Sequence, residues 1–459
     1  DPSRLVMVFP GVQASQDNNS DIIIRSNSPT GLLWRLEGID IPNPNHFARK
    51  GSSGGGISVF SAQLLGNSDF STGAFSANYG NALAGVFDMQ CRPGNSRERS
   101  FRFKFGLLGT DLAAEGPIKR QSNSGDGGYS SYLVNYRYST LGILNDLGFR
   151  LVGPRIDNNF QDLSFNLSFK SKDLNSTFTV FGIGGISEEL WDPVKDSLTW
   201  SRPYRESRVY TSNMGAVGAT FTHLIDEKSF LKAAVAVMGD RVTDNDDTLD
   251  IRSVMLSPAP DRLEEPTDWT ALATARYETE EYQNFRISSH VFYQRQLGDQ
   301  TVLKTGVIGT HMQFNFSHER RIRDSGAFER IVAGEGASQL LQAYAQIKAK
   351  PTTRLTLSGG IHSLFLALNN TYSVEPRLAM QYQLDETSAL TLSYGLHGQV
   401  IPLGSYFTEV LDSNGNLTQP NLDLQPAKAH HLVMGWKKGF EDNLFITVEG
   451  YYQRLFDMP

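Results

Sequence analysis

The 459-residue chain carries 42 basic and 49 acidic side chains, and a net charge of −7 without any basic block excludes a nucleic-acid surface. Its single cysteine, Cys91, excludes an internal disulfide framework. The mean hydropathy is −0.32 and no apolar run reaches about 18 residues, which excludes a transmembrane helix; a membrane β-barrel, whose residues alternate between lipid and lumen, averages to a similar hydropathy.

The first predicted element is a hairpin near the N-terminus. Residues 21–47 read DIIIRSNSPTGLLWRLEGIDIPNPNHF, in which the turn-forming SNSPTG separates two apolar, strand-like runs and the rigid, polar PNPN follows them. We expect this region to form a small domain with its own apolar core. The predicted core residues are Ile22, Ile24, Leu33, Leu36, Ile39, Ile57, Phe60, Leu64, Leu65, Val86 and Phe87.

A glycine-rich stretch follows the hairpin. GSSGG at 51–55 fits the G-x-S-x-G pattern of a hydrolase nucleophile elbow, but that elbow requires a strand before the serine and a helix after it. Here further glycines and a predicted strand follow. We therefore expect no catalytic residue, no enzymatic activity and no cofactor.

From about residue 101 onward, the pattern predicts one large antiparallel sheet. Side chains alternate between the two faces of a strand, so each segment has one apolar and one polar face. One segment sets Leu341, Ala343, Ala345 and Ile347 against Gln342, Tyr344, Gln346 and Lys348. We count about 15 strands, which start near residues 101, 109, 129, 160, 176, 207, 229, 284, 301, 339, 354, 373, 388, 427 and 443.

Short polar turns alternate with long connections along this sheet. The predicted turns lie at 172–175, 226–228, 299–300, 351–353, 385–387 and 441–442, and the predicted long loops at about 141–159, 188–206, 241–283, 317–337 and 400–425. Outer-membrane barrels have short periplasmic turns and long external loops, whereas nothing in a soluble β-sandwich requires short and long connections to alternate. The strand count is odd, so we expect the sequence to be part of a chain with about 22 strands in full.

Four blocks near the N-terminus resemble the plug of TonB-dependent outer-membrane receptors, of the Bacteroidetes type in which a carboxypeptidase-regulatory-like domain usually precedes the plug. The blocks are IIIRSNSP at 22–29, LLWRLEGIDIPNPNHF at 32–47, GGGISVFSAQLL at 54–65 and YGNALAGVFDMQ at 79–90, and NLDLQPAKAHHLVMGW at 421–436 resembles a barrel strand of the same family. The resemblance implies an all-β fold: an N-terminally incomplete plug domain, residues 1–97, inside a C-terminally incomplete transmembrane β-barrel, residues 98–459.

The resemblance also implies contacts between the plug and the barrel wall. Arg25 stands where the family has the arginine of its Arg-Gly motif, and Glu37 where it usually has an aspartate, and we expect both residues to anchor the plug. TGA at 72–74 stands where many relatives have Arg-Gly-Pro, so one of two plug arginines that usually pair with barrel glutamates is missing. We expect a polar, hydrogen-bonded interface that lets the plug move at modest cost.

By the same analogy, the loop after the second plug strand faces an external vestibule. The candidates for substrate contact are Asn43, Asn45, His46, Phe47 and Arg49 in this loop, and Asn27 and Ser28 at a second tip. The alternative is that these residues only pack against the barrel wall.

No metal site is predicted. His430 and His431 are adjacent and therefore point to opposite faces of a strand, so they cannot jointly hold one ion. The acidic run DNDDTLD at 244–250 is expected to lie solvated in a long loop rather than to bind Ca²⁺.

The resemblance implies a receptor in the cell outer membrane that binds an external solute and transports it into the periplasm by energy-coupled plug movement. The expected partners are the lipid bilayer, a TonB-type inner-membrane energy transducer that pulls through a segment before residue 1, and a surface lipoprotein lid or other outer-membrane proteins. The alternative is a non-transporting barrel that acts as a structural subunit of a larger outer-membrane assembly or secretion complex. Glycans, peptides, siderophores and cobalamin suit the loops equally well as solutes.

Overall fold

The computed structural model describes residues 6–16, 19–50, 52, 54–107, 109–122, 127–149, 156–191, 206–249, 274–322, 326–440 and 444–459. Nearly all regular structure in these residues is β-strand. The helical segments are α1 (Leu141–Asp146) and 3₁₀ turns at Val6–Val8, Pro29–Gly31 and Leu403–Phe407. None of the described helices is long and apolar enough to cross a membrane.

Three small sheets precede the large sheet. Their strands are β1 (Val12–Gln16), β2 (Asn19–Ile24), β3 (Leu32–Leu36), β4 (Ile39–Asp40), β5 (Asn45–His46), β6 (Ile57–Ser58), β7 (Asp69–Thr72) and β8 (Gly85–Met89). β3 and β8 run parallel in the middle of a four-stranded sheet. Every residue of β3 is buried, which explains why LLWRL reads as an almost continuous apolar run.

A tight turn joins β3 to β4. Glu37 and Gly38 have φ angles of +55° and +92°, the left-handed values that a two-residue type I′ hairpin turn requires. Arg35 pairs with Asp40 across this hairpin, with 2.6 Å between Nε and Oδ1. The one charged residue of β3 is therefore neutralised by the next strand.

One 15-stranded antiparallel sheet follows, in which consecutive strands are neighbours. Its strands are β9 (Ser100–Phe105), β10 (Thr110–Lys119), β11 (Ser130–Tyr138), β12 (Ile156–Lys170), β13 (Ser176–Trp191), β14 (Glu206–Asp226), β15 (Ser229–Leu249), β16 (Thr274–Gly298), β17 (Thr301–Arg321), β18 (Phe328–Ala349), β19 (Leu355–Leu366), β20 (Thr371–Gln383), β21 (Ser388–Gln399), β24 (Ala427–Gly439) and β25 (Phe445–Phe456). The hairpin β22 (Val410–Leu411) and β23 (Leu417–Thr418) lies between β21 and β24. The predicted all-β fold and its strand number are confirmed.

The longest strands extend beyond their predicted ends. β15 ends at Leu249 and β16 begins at Thr274, while β17 ends at Arg321 and β18 begins at Phe328. The described parts of the loops predicted at 241–283 and 317–337 are therefore mainly strand. The acidic run, predicted to lie in a loop, belongs to β15 up to Leu249; Asp250 lies outside the described residues. Asp244 pairs with Arg208 on β14, with 2.6 Å between Oδ1 and Nε, and such cross-strand charge pairs stabilise polar stretches of a sheet.

The large sheet exposes apolar side chains on its outer face. On β18, Leu341 is 47% exposed, whereas its neighbour Gln342 is 3% exposed. The same outward apolar positions recur on other strands, among them Val217, Val237, Val307, Val374 and Leu378. An apolar band of this extent is unusual on a soluble protein and is typical of the lipid-facing side of an outer-membrane barrel.

The inner face of the large sheet encloses the small sheets. We call β1–β8 with their connections the plug, and the 15-stranded sheet the wall. Plug residues contact the wall from β9, where Arg102 bonds to Gln63, round to β25, where Glu449 pairs with Arg25.

Part of the interface between plug and wall is apolar. The main core cluster joins plug residues such as Ile22, Leu36 and Phe60 to inward-facing residues of β13–β15. The wall residues in it include Phe181, Ile183, Met214, Ala216, Ala234, Ala236 and Met238; we call this surface the apolar seam. The expectation of a polar interface throughout is therefore wrong, because apolar side chains of plug and wall meet here and leave water without burying polar groups.

Candidate functional site

A cavity of about 660 Å³ lies between one end of the plug and the wall. Its wall residues belong mainly to β14–β18 and mostly lie nearer the starts of β14, β16 and β18 and the ends of β15 and β17, which form one edge of the sheet. The lining includes Trp34, Asn43, Asn213, Asn284, Arg286 and Phe316. Small-molecule sites typically measure about 300–1,000 Å³ and combine apolar walls with a few polar groups, so this cavity has the size and composition of a solute site.

The plug tip, residues 42–50, borders this cavity and is shaped by asparagine side chains. Asn43 Nδ2 donates hydrogen bonds to the carbonyl oxygens of Ser52 and Gly54, at 3.1 and 2.9 Å. Asn45 Nδ2 donates to Asn43 Oδ1 at 2.7 Å. Asn43 lines the cavity with an amide that the plug already holds in place.

Two adjacent cations at the plug tip reach aromatic residues of the wall. The Arg49 guanidinium lies 5.1 Å from the ring centre of Tyr210, and its Nη2 lies 3.2 Å from Glu189 Oε1. Lys50 Nζ lies 4.3 Å from the ring centre of Tyr282 and 3.0 Å from its hydroxyl oxygen. The Arg49 and Lys50 side chains are 48% and 42% exposed, so a solute in the cavity can reach both. Arg49 was predicted from the sequence and Lys50 was not, although the adjacency of two basic residues was a signal.

His46 lies on the wall side of the plug tip and outside the cavity lining. Its Nε2 is 2.9 Å from Asp162 Oδ2, and Arg137 pairs with the same carboxylate at 2.7 Å. Burial lowers the pKa of His46, although the hydrogen bond to Asp162 opposes this effect. The ring is therefore neutral at physiological pH, and its Nε2–H donates to the carboxylate.

Asn45 and Phe47 are also buried and lie outside the cavity lining. The backbone N–H of Phe47 donates to Ser187 Oγ on β13 at 3.0 Å, and its ring meets that of Phe160 edge to face at 6.4 Å. The pairing of β5 with β6 turns the side chains in and next to β5 toward the plug and the wall. Substrate contact by these residues stays a prediction that would require the plug tip to move.

Arg25 and Glu37 both pair with charged wall residues. Arg25 Nη2 lies 2.8 Å from Glu449 Oε2 on β25. Glu37 Oε2 lies 3.4 Å from Lys232 Nζ on β15. These ion pairs put both residues at the interface, and their anchoring role stays a prediction.

Asn27 and Ser28 lie beside Arg25 and not in the cavity lining. Asn27 Nδ2 donates to Gln453 Oε1 of β25 at 2.9 Å. Ser28 Oγ shares a hydrogen bond with Thr30 Oγ1 at 2.8 Å, next to the 3₁₀ turn at Pro29–Gly31. The structure therefore separates this second tip from the plug tip.

A buried charged group on β20 was not predicted from the sequence. Arg377 Nη1 donates to the carbonyl oxygen of Ser76 at 2.7 Å and also contacts those of Phe75 and Tyr79. Arg377 Nη2 pairs with Glu375 Oε2 at 2.6 Å, and the two side chains are 4% and 0% exposed. The available signal was strand alternation, which turns both charges inward when Val374 and Leu378 face outward.

Further wall side chains bind the same plug segment. His362 Nδ1 donates to the carbonyl oxygen of Ala77, and the Ala77 N–H donates to Gln346 Oε1, both at 2.9 Å. We call Gln346, His362, Glu375 and Arg377 the polar latch. The plug segment TGA at 72–74 carries no arginine; here a buried arginine lies on the wall and reaches into the plug.

One group of side chains near the cavity has the composition of a metal site. Glu278, Glu280 and His318 each place a ligand atom within 4.8 Å of the others. His318 also lines the cavity. Across the described ranges, no second group of this kind occurs.

No family model and no curated protein matches this sequence. Among solved structures, the fold is similar to the siderophore receptor PirA from Acinetobacter baumannii, with a TM-score of 0.65, 14% identity and coverage of 99% of this chain and 68% of that chain. It is also similar to the copper transporter OprC (TM-score 0.67, 12% identity, 99% and 68% coverage). A third similar structure is the outer membrane transporter YddB from Escherichia coli (TM-score 0.62, 13% identity, 99% and 66% coverage). At these identities the likeness establishes the fold alone: the chain has the plug-and-barrel fold of TonB-dependent outer-membrane receptors.

Proposed function

We propose that this protein is a TonB-dependent receptor of the cell outer membrane that binds an external solute at the plug tip and transports it into the periplasm. The observation that carries the proposal is the position of the cavity, which the plug bounds on one side and the wall on the other. A displacement of the plug would open this cavity along the lumen. The outward apolar band supports a location in the lipid bilayer.

In this proposal, residues 1–97 form the plug domain and residues 98–459 the barrel. A TonB-type inner-membrane transducer supplies force through a segment N-terminal to the plug, and a surface lipoprotein lid is a further partner. The resemblance favours the Bacteroidetes type, in which a carboxypeptidase-regulatory-like domain usually precedes the plug. Because force is the energy input, no catalytic residue takes part.

The proposed solute contacts begin with the two sequence candidates in the cavity lining, Asn43 and Arg49. Lys50 from the plug and Asn284 and Arg286 from the wall join them. The lining combines amides, aromatic rings and charges of both signs. Such a lining favours a polar solute over an apolar one.

The test fixes the plug to the wall with a short, thiol-cleavable cross-linker. Ser76→Cys and Gln346→Cys place one thiol on each side of the interface, because the two native side chains hydrogen-bond. Ser76→Cys with Asn78→Cys is the matched control, since both residues belong to the plug and their side chains also hydrogen-bond. The native Cys91 is buried, which raises the pKa of its thiol and keeps it unreactive.

Uptake is measured as the solutes that energised cells producing the full-length protein remove from the medium, identified by mass spectrometry. We expect the cross-link between plug and wall to stop this removal, a reductant to restore it, and the cross-link within the plug to leave it unchanged. If no solute is removed, or if the cross-link across the interface has no effect, the protein acts instead as a structural subunit of a larger assembly.

A further inference from the structure

Three side chains of the wall converge beside the cavity. Glu278 and Glu280 lie two residues apart on β16, and His318 on β17 is the cross-strand partner of Glu280. Directly paired residues, and residues two apart on one strand, share a face, so all three side chains lie on the inner face of the wall. His318 Nε2 is 2.7 Å from Glu278 Oε1 and 3.2 Å from Glu280 Oε1.

Hydrogen bonding alone does not account for this convergence. One imidazole nitrogen carries either one proton or one lone pair, so it cannot donate a full hydrogen bond to two carboxylates at once. The two carboxylates also repel each other, and like charges at such short range are costly unless a cation compensates them. Among the described residues, the lysine or arginine that pairs with these carboxylates is Lys50, and it contacts Glu280 through the other oxygen, Oε2, at 3.2 Å.

We propose that Glu278, Glu280 and His318 bind a divalent transition-metal ion in the wall of the cavity. One imidazole nitrogen and two carboxylate oxygens suit Zn²⁺ or Cu²⁺, whereas Mg²⁺ and Ca²⁺ prefer oxygen ligands alone. Metal–ligand bonds of about 2.0–2.2 Å set tetrahedral donors about 3.3–3.6 Å apart. The His318 nitrogen lies 2.7 and 3.2 Å from the two glutamate oxygens, closer than this, so side-chain rotations would open the site.

The ion would have an open coordination position toward the cavity. His318 borders the cavity, which gives the ion a route of entry and lets water or a donor atom of a solute complete its coordination. Three protein ligands with a fourth position open to water or a bound molecule is an arrangement that zinc sites in proteins use. This inference concerns the binding of the ion and does not depend on the proposed transport.

The same geometry links the ion to the plug tip. Glu280 offers Oε1 to the ion while its Oε2 contacts Lys50 of the plug. A metal ion and the lysine ammonium repel each other across this shared carboxylate. Lys50→Gln should therefore tighten metal binding several-fold, an effect that a purely structural role of the three ligands would not produce.

The test uses tag-free, full-length protein in detergent, titrated with Cu²⁺ alone. Calorimetry measures affinity and stoichiometry, and electron paramagnetic resonance detects hyperfine splitting from a nitrogen ligand. We expect one tightly bound ion per chain, loss of the nitrogen splitting in His318→Gln, and an affinity at least tenfold weaker in His318→Gln and Glu280→Gln. Glu281→Gln is the matched control, because Glu281 is adjacent on the same strand and pairs with Arg241 on the opposite face.

Each variant is checked for a folded barrel by its mobility on unheated gels before titration. The proposal is overturned if folded wild-type protein binds no tight copper ion, or if the triple variant Glu278→Gln, Glu280→Gln and His318→Gln binds it as well as wild type. A loss of affinity in Glu281→Gln as large as that in Glu280→Gln would also overturn it, because a general charge effect would then explain the binding.

Discussion

The wall holds the plug in two different ways on two sides of the lumen. The apolar seam on β13–β15 uses apolar side chains such as Ile183 and Ala236, whereas the polar latch on β18–β20 uses a buried arginine that reaches plug carbonyl oxygens. Apolar contacts are non-directional and tolerate small displacements. Hydrogen bonds require particular distances and angles, so a small displacement breaks several of them together. We therefore expect the plug to slide along the apolar seam only after the polar latch has opened.

The largest effect is expected from removing one charge of the latch. Arg377→Met leaves Glu375, which is fully buried, without its partner, and breaking a buried ion pair in this way typically costs about 3–5 kcal/mol. We expect hydrogen exchange at the backbone amides of Phe75–Tyr79 to become much faster. Hydrogen exchange followed by mass spectrometry on the full-length protein measures this change.

The matched control removes both charges at once. Glu375→Gln combined with Arg377→Met leaves no buried charge unpaired, so it should loosen the plug less than Arg377→Met alone. If the single variant exchanges no faster than the double variant, the ion pair does not hold the plug.

A smaller effect is expected at Arg25. Its partner Glu449 is 26% exposed, so part of the lost interaction is replaced by water, and the loss should be about 1.5–3 kcal/mol. Arg25→Ala should make the purified protein leakier to ions in planar bilayers. Glu449→Gln should have a similar effect, and the double variant should add little to either. Additive effects in this cycle would mean that Arg25 and Glu449 do not act as a pair.

A pH effect is expected at His46. Its pKa in the folded protein is below the ordinary value of about 6.5 because the ring is buried, while Asp162 raises the pKa and Arg137 lowers it further. Between the folded pKa and the unfolded pKa of about 6.5, His46 therefore binds more protons in the unfolded segment than in the folded one. Stability from this contact is complete above about 6.5 and is lost as the pH falls toward the folded pKa.

Acidification should therefore speed exchange at the amides of residues 45–59, after correction for the intrinsic rate. His46→Gln should remove most of this pH dependence at the plug tip while leaving that of Phe75–Tyr79 unchanged. An identical pH response in wild type and His46→Gln would assign the effect to other groups.

The fold could be predicted from the sequence because strand alternation is a local signal. Strand alternation predicted the strand number and an apolar face on each strand. It could not show where charge pairs between strands, such as Arg208 with Asp244, extend the sheet into polar sequence. The apolar seam was also missed. Its inward residues Ala234 and Ala236 alternate with outward Val235 and Val237, so both faces of β15 are apolar there and no alternation marks the inner one.

The candidate site was predicted only in part, because the sequence alone does not determine how the plug pairs with the wall. The plug loop was predicted to contact a solute, and that stays a prediction. β5 turns His46 toward Asp162, and only the three-dimensional pairing of plug and wall decides which side chains face the cavity. Arg377 and Glu375 look like ordinary lumen residues in the sequence. The contact of Arg377 with Ser76, about three hundred positions away, follows from the way the sheet curves around the plug and not from any local pattern.

The smallest effect on plug stability is expected at the plug tip. Lys50 is 42% exposed, and cation–π contacts and ion pairs at exposed sites contribute about 0.5–1 kcal/mol. Lys50→Gln should therefore leave exchange at Phe75–Tyr79 unchanged and accelerate exchange at the plug tip only slightly. Tyr282→Leu, which removes the ring and the hydroxyl from the other side of the same contact, should behave in the same way. A large acceleration at Phe75–Tyr79 in either variant would mean that the plug tip and the polar latch open together, and the two sides of the lumen would then act as one contact rather than two.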